Sequence, residues 1–218
     1  MNKSFSSQLR EEMSDVWEKI HSHPFIQELQ AGTLPVEKFR YYVTQDFHYL
    51  EGFGRTVSIA LSKAPDIGTL RKLSQRVNTP IERPLHNELF KLLELDEEEV
   101  LRLGASPTNQ AYVNHMLRCA SLGDTGIAAA ALLPCPWTYH ELGSVLSPPN
   151  HPIYDTWIGA YNDGLLEEST KAWRDVVDTC ARSAGQPLRE KMRESFITSS
   201  RYEYMFWSMA YNMETWPV

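Results

Sequence analysis

Asp46, Cys135 and Glu203 lie in three separate parts of the chain, yet each occupies a slot in an apolar helical stripe. Asp46 falls within the three- and four-residue steps of Phe39, Val43, Leu50 and Phe53. Glu203 stands among Phe196, Ser199, Ser200, Phe206, Trp207 and Ala210, and Cys135 is in line with Ala128, Ala131, Tyr139 and Leu142. Such spacing turns all three inward. A thiol there is a potential nucleophile, and a carboxyl raised by burial is a potential acid or base. An inward carboxylate can also hold a polar ligand. Each residue has an ordinary reading as well. Asp46 can be satisfied by a Tyr, an Arg or a backbone group. Glu203 has Arg193 and Arg201 nearby, although neither shares its face cleanly. A buried free cysteine behaves as a small hydrophobe, and Cys119 and Cys180 keep that reading.

The neighbours of Cys135 favour chemistry. In Leu132-Leu133-Pro134-Cys135-Pro136-Trp137, the two prolines remove amides that would otherwise pair with the carbonyls of Ala130 and Leu132. A helix distorted in an interior wall commonly marks a site. Tyr49, Tyr112, Tyr139, Tyr161 and Tyr202 lie on or beside inward faces, where a planar ring could stack among them. For any one tyrosine, a hydrogen-bonded place in the bundle lining is the simpler role.

Glu82 and His86 stand four apart and share a helical face, which is half of a carboxylate-bundle iron site. The residues that could complete it are His48, His115 and His140 with Glu141, and none shows a repeated ExxH. Bonding across helices is therefore the favoured role for Glu82 and His86, and no metal is expected. His21 and His23 flank a turn. No GxGxxG or P-loop signals a nucleotide.

These residues must be positioned by helices, because strand alternation is lacking. Ser4 to His23 reads as a first helix stopped by Pro24. A second starts at Pro35 and runs to Pro65. A third helical region spans Asp66 to Leu103, is broken or kinked by Pro80 and Pro84, and is closed by Gly104. Ser106-Pro107 opens a helix ending at Gly123, and Asp124 caps the one that carries Cys135 before Pro148-Pro149. His151-Pro152 starts another, resuming from Leu165 to Ala184, and the last follows Pro187 and ends near Trp216. The expectation is one all-α bundle over residues 1–218.

The 218 residues are 42% apolar and 22% charged, as expected for a globular body. A formal charge of −7 disfavours nucleic acid as a partner. The stretch from Gly126 to Trp137 is too short and too proline-broken to span a membrane. An odd cysteine count without CxxC and a charged N-terminal stretch point to a cytoplasmic setting.

Two blocks carry a resemblance. Ala130-Ala131-Leu132-Leu133-Pro134-Cys135-x-Trp137-x-Tyr139 and Ser200-x-Tyr202-Glu203-Tyr204-x-Phe206-Trp207-x-Met209-Ala210-Tyr211 resemble the TenA/thiaminase II family. Tyr41-Tyr42-Val43-x-Gln45-Asp46, His23-Pro24-Phe25, Gly32-Thr33-Leu34-Pro35 and the block from His151 to Tyr161 extend the likeness over nearly the whole chain. The resemblance implies a haem-oxygenase-like helical bundle without haem or other cofactor, assembled as a homotetramer. It further implies cleavage of thiamin, or hydrolysis of the aminomethyl pyrimidine formed when thiamin degrades, in thiamin salvage. By the same similarity Cys135 is the nucleophile, Glu203 the proton donor and acceptor, and Asp46 the ligand for the pyrimidine amidine edge. Tyr49, Tyr112, Tyr139 and Tyr161 match pocket-lining positions. Pro136 departs from the family's pattern. The rival readings are a di-iron oxygenase on the same bundle and a non-catalytic regulatory helical protein.

Overall fold

The computed structural model describes residues 3–78 and 82–218, and among them every regular element is a helix. In chain order these are α1 Phe5–Glu12, α2 Ser14–His21, α3 Pro24–Ala31, α4 Val36–Ser62, α5 Ile67–Asn78, α6 Arg83–Leu92 and α7 Glu97–Leu103. They continue as α8 Pro107–Leu122, α9 Thr125–Leu132, α10 Pro134–Val145, α11 Pro152–Asn162, α12 Glu167–Ser183 and α13 Gln186–Asn212. The all-α expectation holds.

Two 27-residue helices, α4 and α13, pack on each other and form the frame. At 1.5 Å per residue each spans about 40 Å. The α9 segment lies between them and α8 and α12, and every residue from Ala128 to Leu132 is buried. Its run of alanines suits that place, since a helix hemmed in on all sides must be slim as well as apolar. The stripe that singled out Cys135 in the sequence therefore selects nothing within α9. The α10 segment continues from α9 through Leu133, whose φ of −60° and ψ of −36° keep the chain helical. It then packs against α11, α12 and α13.

Several helix ends differ from the periodicity. The first predicted helix breaks at Met13, because α1 packs on α12 while α2 packs on α13. Pro24 both stops α2 and starts α3, whose first turn is capped by His23 Nδ1 accepting from Phe25 N at 3.1 Å. Pro84 opens α6 rather than kinking it, and Pro80 lies outside the described residues. A further break separates α6 from α7, where Glu94 adopts φ 53° and the Leu93 and Glu94 carbonyls accept from Arg40 of α4. The last helix ends at Asn212, before Trp216. There Glu214 turns out of the helix to accept from Thr108 N at 2.8 Å and Thr108 Oγ1 at 3.0 Å, at the start of α8.

Close approach between α10 and α11 requires Gly143. A Cβ at that position would lie 2.5 Å from the Tyr161 carbonyl oxygen, a backbone atom that cannot swing aside. Gly143→Ala is therefore expected to destabilise the fold by about 2 kcal/mol, lowering Tm by roughly 4–8 °C in thermal unfolding. Gly159→Ala, with nothing within 4 Å of its Cβ, should leave Tm unchanged or slightly raised.

Candidate active site

Cys135 is the second residue of α10, in the turn where proline replaces donors on both sides. Trp137 N still reaches the Leu133 carbonyl at 3.3 Å, so the helical path survives. The Pro136 carbonyl is satisfied from outside by Thr170 Oγ1 of α12 at 2.8 Å. The departure at Pro136 thus leaves the turn anchored, and its ring joins the wall of the cavity described below. Cys135 is 6% exposed. Burial above all, then the charges of Glu203 and Glu82, push its thiol well above the ordinary range, while the Tyr49 hydroxyl opposes them.

Glu203 comes from the middle of α13 and is 3% exposed. Its Oε1 accepts from the Tyr112 hydroxyl of α8 at 2.6 Å. Burial dominates and raises the carboxyl to about 8 against that hydrogen bond, with the charges of Asp46 and Glu82 adding to the rise. Among the described residues no arginine is bonded to it. Arg193 instead pairs with Glu12 and Glu190. Tyr112 is itself fixed by stacking on Tyr202, 5.1 Å between centroids at 12°, and by the Tyr49 ring at 5.1 Å.

Asp46, on α4, binds His86 Nε2 of α6 through Oδ2 at 2.8 Å, with both side chains buried. Burial pulls the His86 imidazole down. The Asp46 hydrogen bond and the charges of Asp46 and Glu82 outweigh it, and the net movement is upward. Glu82, just before α6, accepts from the Tyr161 hydroxyl of α11 at 2.8 Å. Burial and then the Asp46 charge raise it to about 7. Tyr139 stacks obliquely on Tyr161 at 5.3 Å, and its hydroxyl accepts from Tyr42 at 3.1 Å.

These groups surround a cavity of about 570 Å³ whose wall includes Cys135, Pro136, Glu82, His86, Phe47 and Trp173. That volume suits a small flat ligand with space beyond it, since ligand clefts run from roughly 300 to 1,000 Å³. Asp46 and Glu203, with Tyr49, Tyr112, Tyr139 and Tyr161, are packed in the layer behind this wall. Neither carboxyl is wholly engaged. Asp46 Oδ1 and Glu203 Oε2 have no hydrogen-bond partner among the described residues.

Of the residues singled out in the sequence, Cys135, Glu82 and His86 line the cavity, while Asp46 and Glu203 are buried outside its lining. The thiol feels Glu203, Glu82 and Asp46 together. Asp46 is satisfied by a histidine, a partner that its own stripe does not reveal. Glu82 and His86, read as bonding across helices, do so, and both face the cavity. Among the described residues no three His, Cys, Asp or Glu are grouped to hold a metal ion. His48 and His115 are spent on the carbonyls of Val100 and Ser195, at 2.9 and 3.3 Å. No helix of the described residues is long and apolar enough to cross a membrane.

Comparison with known proteins finds relatives over nearly the whole chain. The model of the TENA/THI-4/PQQC family matches residues 10–213. The aminopyrimidine aminohydrolase of Bacillus subtilis is 38% identical over 216 residues, spanning 97% of this chain and 92% of its own. That of Halalkalibacterium halodurans is 32% identical over 219 residues, or 98% of each. Among solved structures, the TenA homologue protein from P. horikoshii OT3 superposes with a TM-score of 0.87 at 31% identity, covering 96% of this chain and 99% of that one. With a family match over nearly its whole length and full-length relatives above 30% identity, the chain belongs to the TENA/THI-4/PQQC family.

Proposed function

We propose that this protein hydrolyses thiamin-related 4-aminopyrimidines by cysteine nucleophilic catalysis. The substrates are 4-amino-5-aminomethyl-2-methylpyrimidine, releasing ammonia, and thiamin, releasing its thiazole; the hydroxymethyl pyrimidine returns to thiamin synthesis. The single observation that carries the reading is a thiol and a proton-bearing carboxyl meeting at one cavity, Cys135 in its wall and Glu203 behind it. Two relatives that match over nearly the whole chain bear the name aminopyrimidine aminohydrolase, which supports the substrate class.

The chemistry follows from the protonation states. Burial keeps both the thiol and the Glu203 carboxyl neutral near pH 7. The S–H therefore adds across the ring C6–N1 bond without creating net charge: sulfur bonds C6, Glu203 gives its proton to N1 and takes up the thiol's. With aromaticity broken, the lone pair of the ring amine expels the group on the exocyclic methylene and leaves an exocyclic alkene. Asp46 Oδ1 accepts from that ring amine, stabilises the positive charge it acquires and holds the ring in register. Water adds to the alkene and gives one proton to the departed amine or to solvent. Glu203 returns the thiol's proton to the departing sulfur, and N1 then gives its proton back to Glu203. Tyr49, Tyr112, Tyr139 and Tyr161 set the orientation of these groups and present ring faces to the substrate. No step calls for a metal or an organic cofactor. The protein acts as one domain over residues 1–218 within a homotetramer in the cytoplasm, and exposed Leu103, Leu122 and Val145 offer apolar surface for such an assembly.

Cys135→Ala should abolish turnover of the aminomethyl pyrimidine while pyrimidine binding, followed by calorimetry, persists; an active alanine variant would remove the nucleophile from the mechanism. For Glu203→Gln the expectation is a kcat loss of about 10²- to 10⁴-fold with little change in KM. Because the raised carboxyl holds its proton below about 8 and loses it above, wild-type kcat should fall as pH rises through that value. A flat alkaline limb counts against Glu203 as the donor. Asp46→Asn should chiefly raise KM and weaken binding of the hydroxymethyl product. Unchanged affinity for that product would free Asp46 of its assigned contact.

A further inference from the structure

Protons move at two places in the proposed reaction, and Glu203 attends only one of them. At ring nitrogen N1 a proton arrives and returns. At the exocyclic methylene an amine departs and water enters, which is also proton chemistry. Three acids line the cavity: Glu51 and Glu97 are exposed, and Glu51 pairs with Arg55, which leaves the half-buried Glu82. It shares the wall with Cys135 and His86, and Tyr161 holds its Oε1, while Oε2 has no partner among the described residues. Its charge raises both the Cys135 thiol and the Glu203 carboxyl, so its protonation acts on both groups. Asp46 from α4, His86 and Arg83 from α6 and Tyr161 from α11 surround this corner, and no lysine or arginine is bonded to Glu82 among the described residues. A carboxyl raised to about 7 by burial and by Asp46 exchanges protons near neutrality at little cost.

We propose that Glu82, within the aminopyrimidine hydrolase reading on which this rests, is a catalytic residue that binds the substrate's exocyclic primary amine as an ammonium and keeps it protonated until it leaves. The carbon–nitrogen bond breaks with its electron pair going to nitrogen, so neutral ammonia departs from the ammonium and the exocyclic alkene forms. Water then bonds the methylene carbon and gives one proton to the ammonia that Glu82 still holds, which leaves as ammonium ion. Atoms and charge balance: substrate ammonium plus water yields the alcohol plus ammonium ion. Thiamin makes a different demand. Its thiazolium nitrogen carries no hydrogen and leaves as a neutral thiazole without any proton. Glu82 is therefore a specificity element for amine-bearing substrates.

The test compares Glu82→Gln with wild type on the aminomethyl pyrimidine and on thiamin, each as kcat/KM, with folding checked by thermal unfolding. The expected loss is about 100-fold or more on the amine and under about 10-fold on thiamin, so that preference shifts at least tenfold. Equal losses on both compounds, or no loss on the amine, overturn the assignment. Glu82→Asp keeps a carboxyl and covers the case in which the glutamine variant does not fold. Its shorter carboxyl should shift preference toward thiamin in the same direction as glutamine but by less, and an unshifted ratio overturns the proposal. Wild-type protein that turns over neither compound removes the hydrolase reading and this inference with it. Wild-type activity on both with an unshifted ratio in the variants removes only the role of Glu82.

Discussion

Burying carboxyl groups without a bonded lysine or arginine is the constraint around which this molecule is organised. Glu82 lines the cavity, Asp46 and Glu203 are buried outside its lining, and the partners of the three are an imidazole and two phenols. Had each carboxylate been paired with a guanidinium, its charged form would have been stabilised and its proton lost well below neutrality. Phenol hydroxyls satisfy one oxygen of Glu82 and Glu203 without supplying a countercharge, so desolvation prevails and both protons are held near neutral pH. Low dielectric raises the thiol for the same reason. Neutral phenol partners suit the proposed addition of S–H across a ring bond, because the thiol and the Glu203 carboxyl then both start uncharged.

Such an arrangement has a structural cost that the rest of the fold offsets. The groups come from α4, α6, α8, α10, α11 and α13, so each must be held by packing rather than by an ion pair. Aromatic contacts supply much of that rigidity. Tyr112 is clamped between Tyr49 and Tyr202, while Tyr42 stacks on Trp207 at 5.2 Å and passes a hydrogen bond to Tyr139. The slim alanine run of α9 lets the long helices close around it, and α10 delivers Cys135 directly from its end. The prolines on either side of Cys135 leave the carbonyls of Ala130 and Leu132 without their helical donors, and α12 anchors the turn separately, with Thr170 donating to the Pro136 carbonyl.

Helical class was legible because proline, glycine and apolar spacing are local properties. Pro35, Gly104, Ser106-Pro107, Gly123 and Asp124 all mark observed ends, since caps and missing donors act within a turn of the backbone. The break at Met13, the restart at Pro24 and the exit of the chain at Met213 were not legible. They depend on which distant helix each segment meets: α12 and α13 for the first, α8 for the last.

For the site, residue type and inward spacing were enough to mark Asp46 and Glu203 as buried acids, because a polar group on an apolar stripe is visible without knowing what it touches, whereas Cys135 was marked by the prolines on either side of it. Their partners were decided only by tertiary packing. His86 lies 40 residues from Asp46, Tyr161 lies 79 from Glu82, and Tyr112 lies 91 from Glu203. A periodic pattern reports which side of its own helix a residue occupies and carries no information about the facing helix. Protonation follows the same division: the sequence determined which groups can titrate and that they are buried, while the neighbours that hold them near neutrality are a property of the assembled fold.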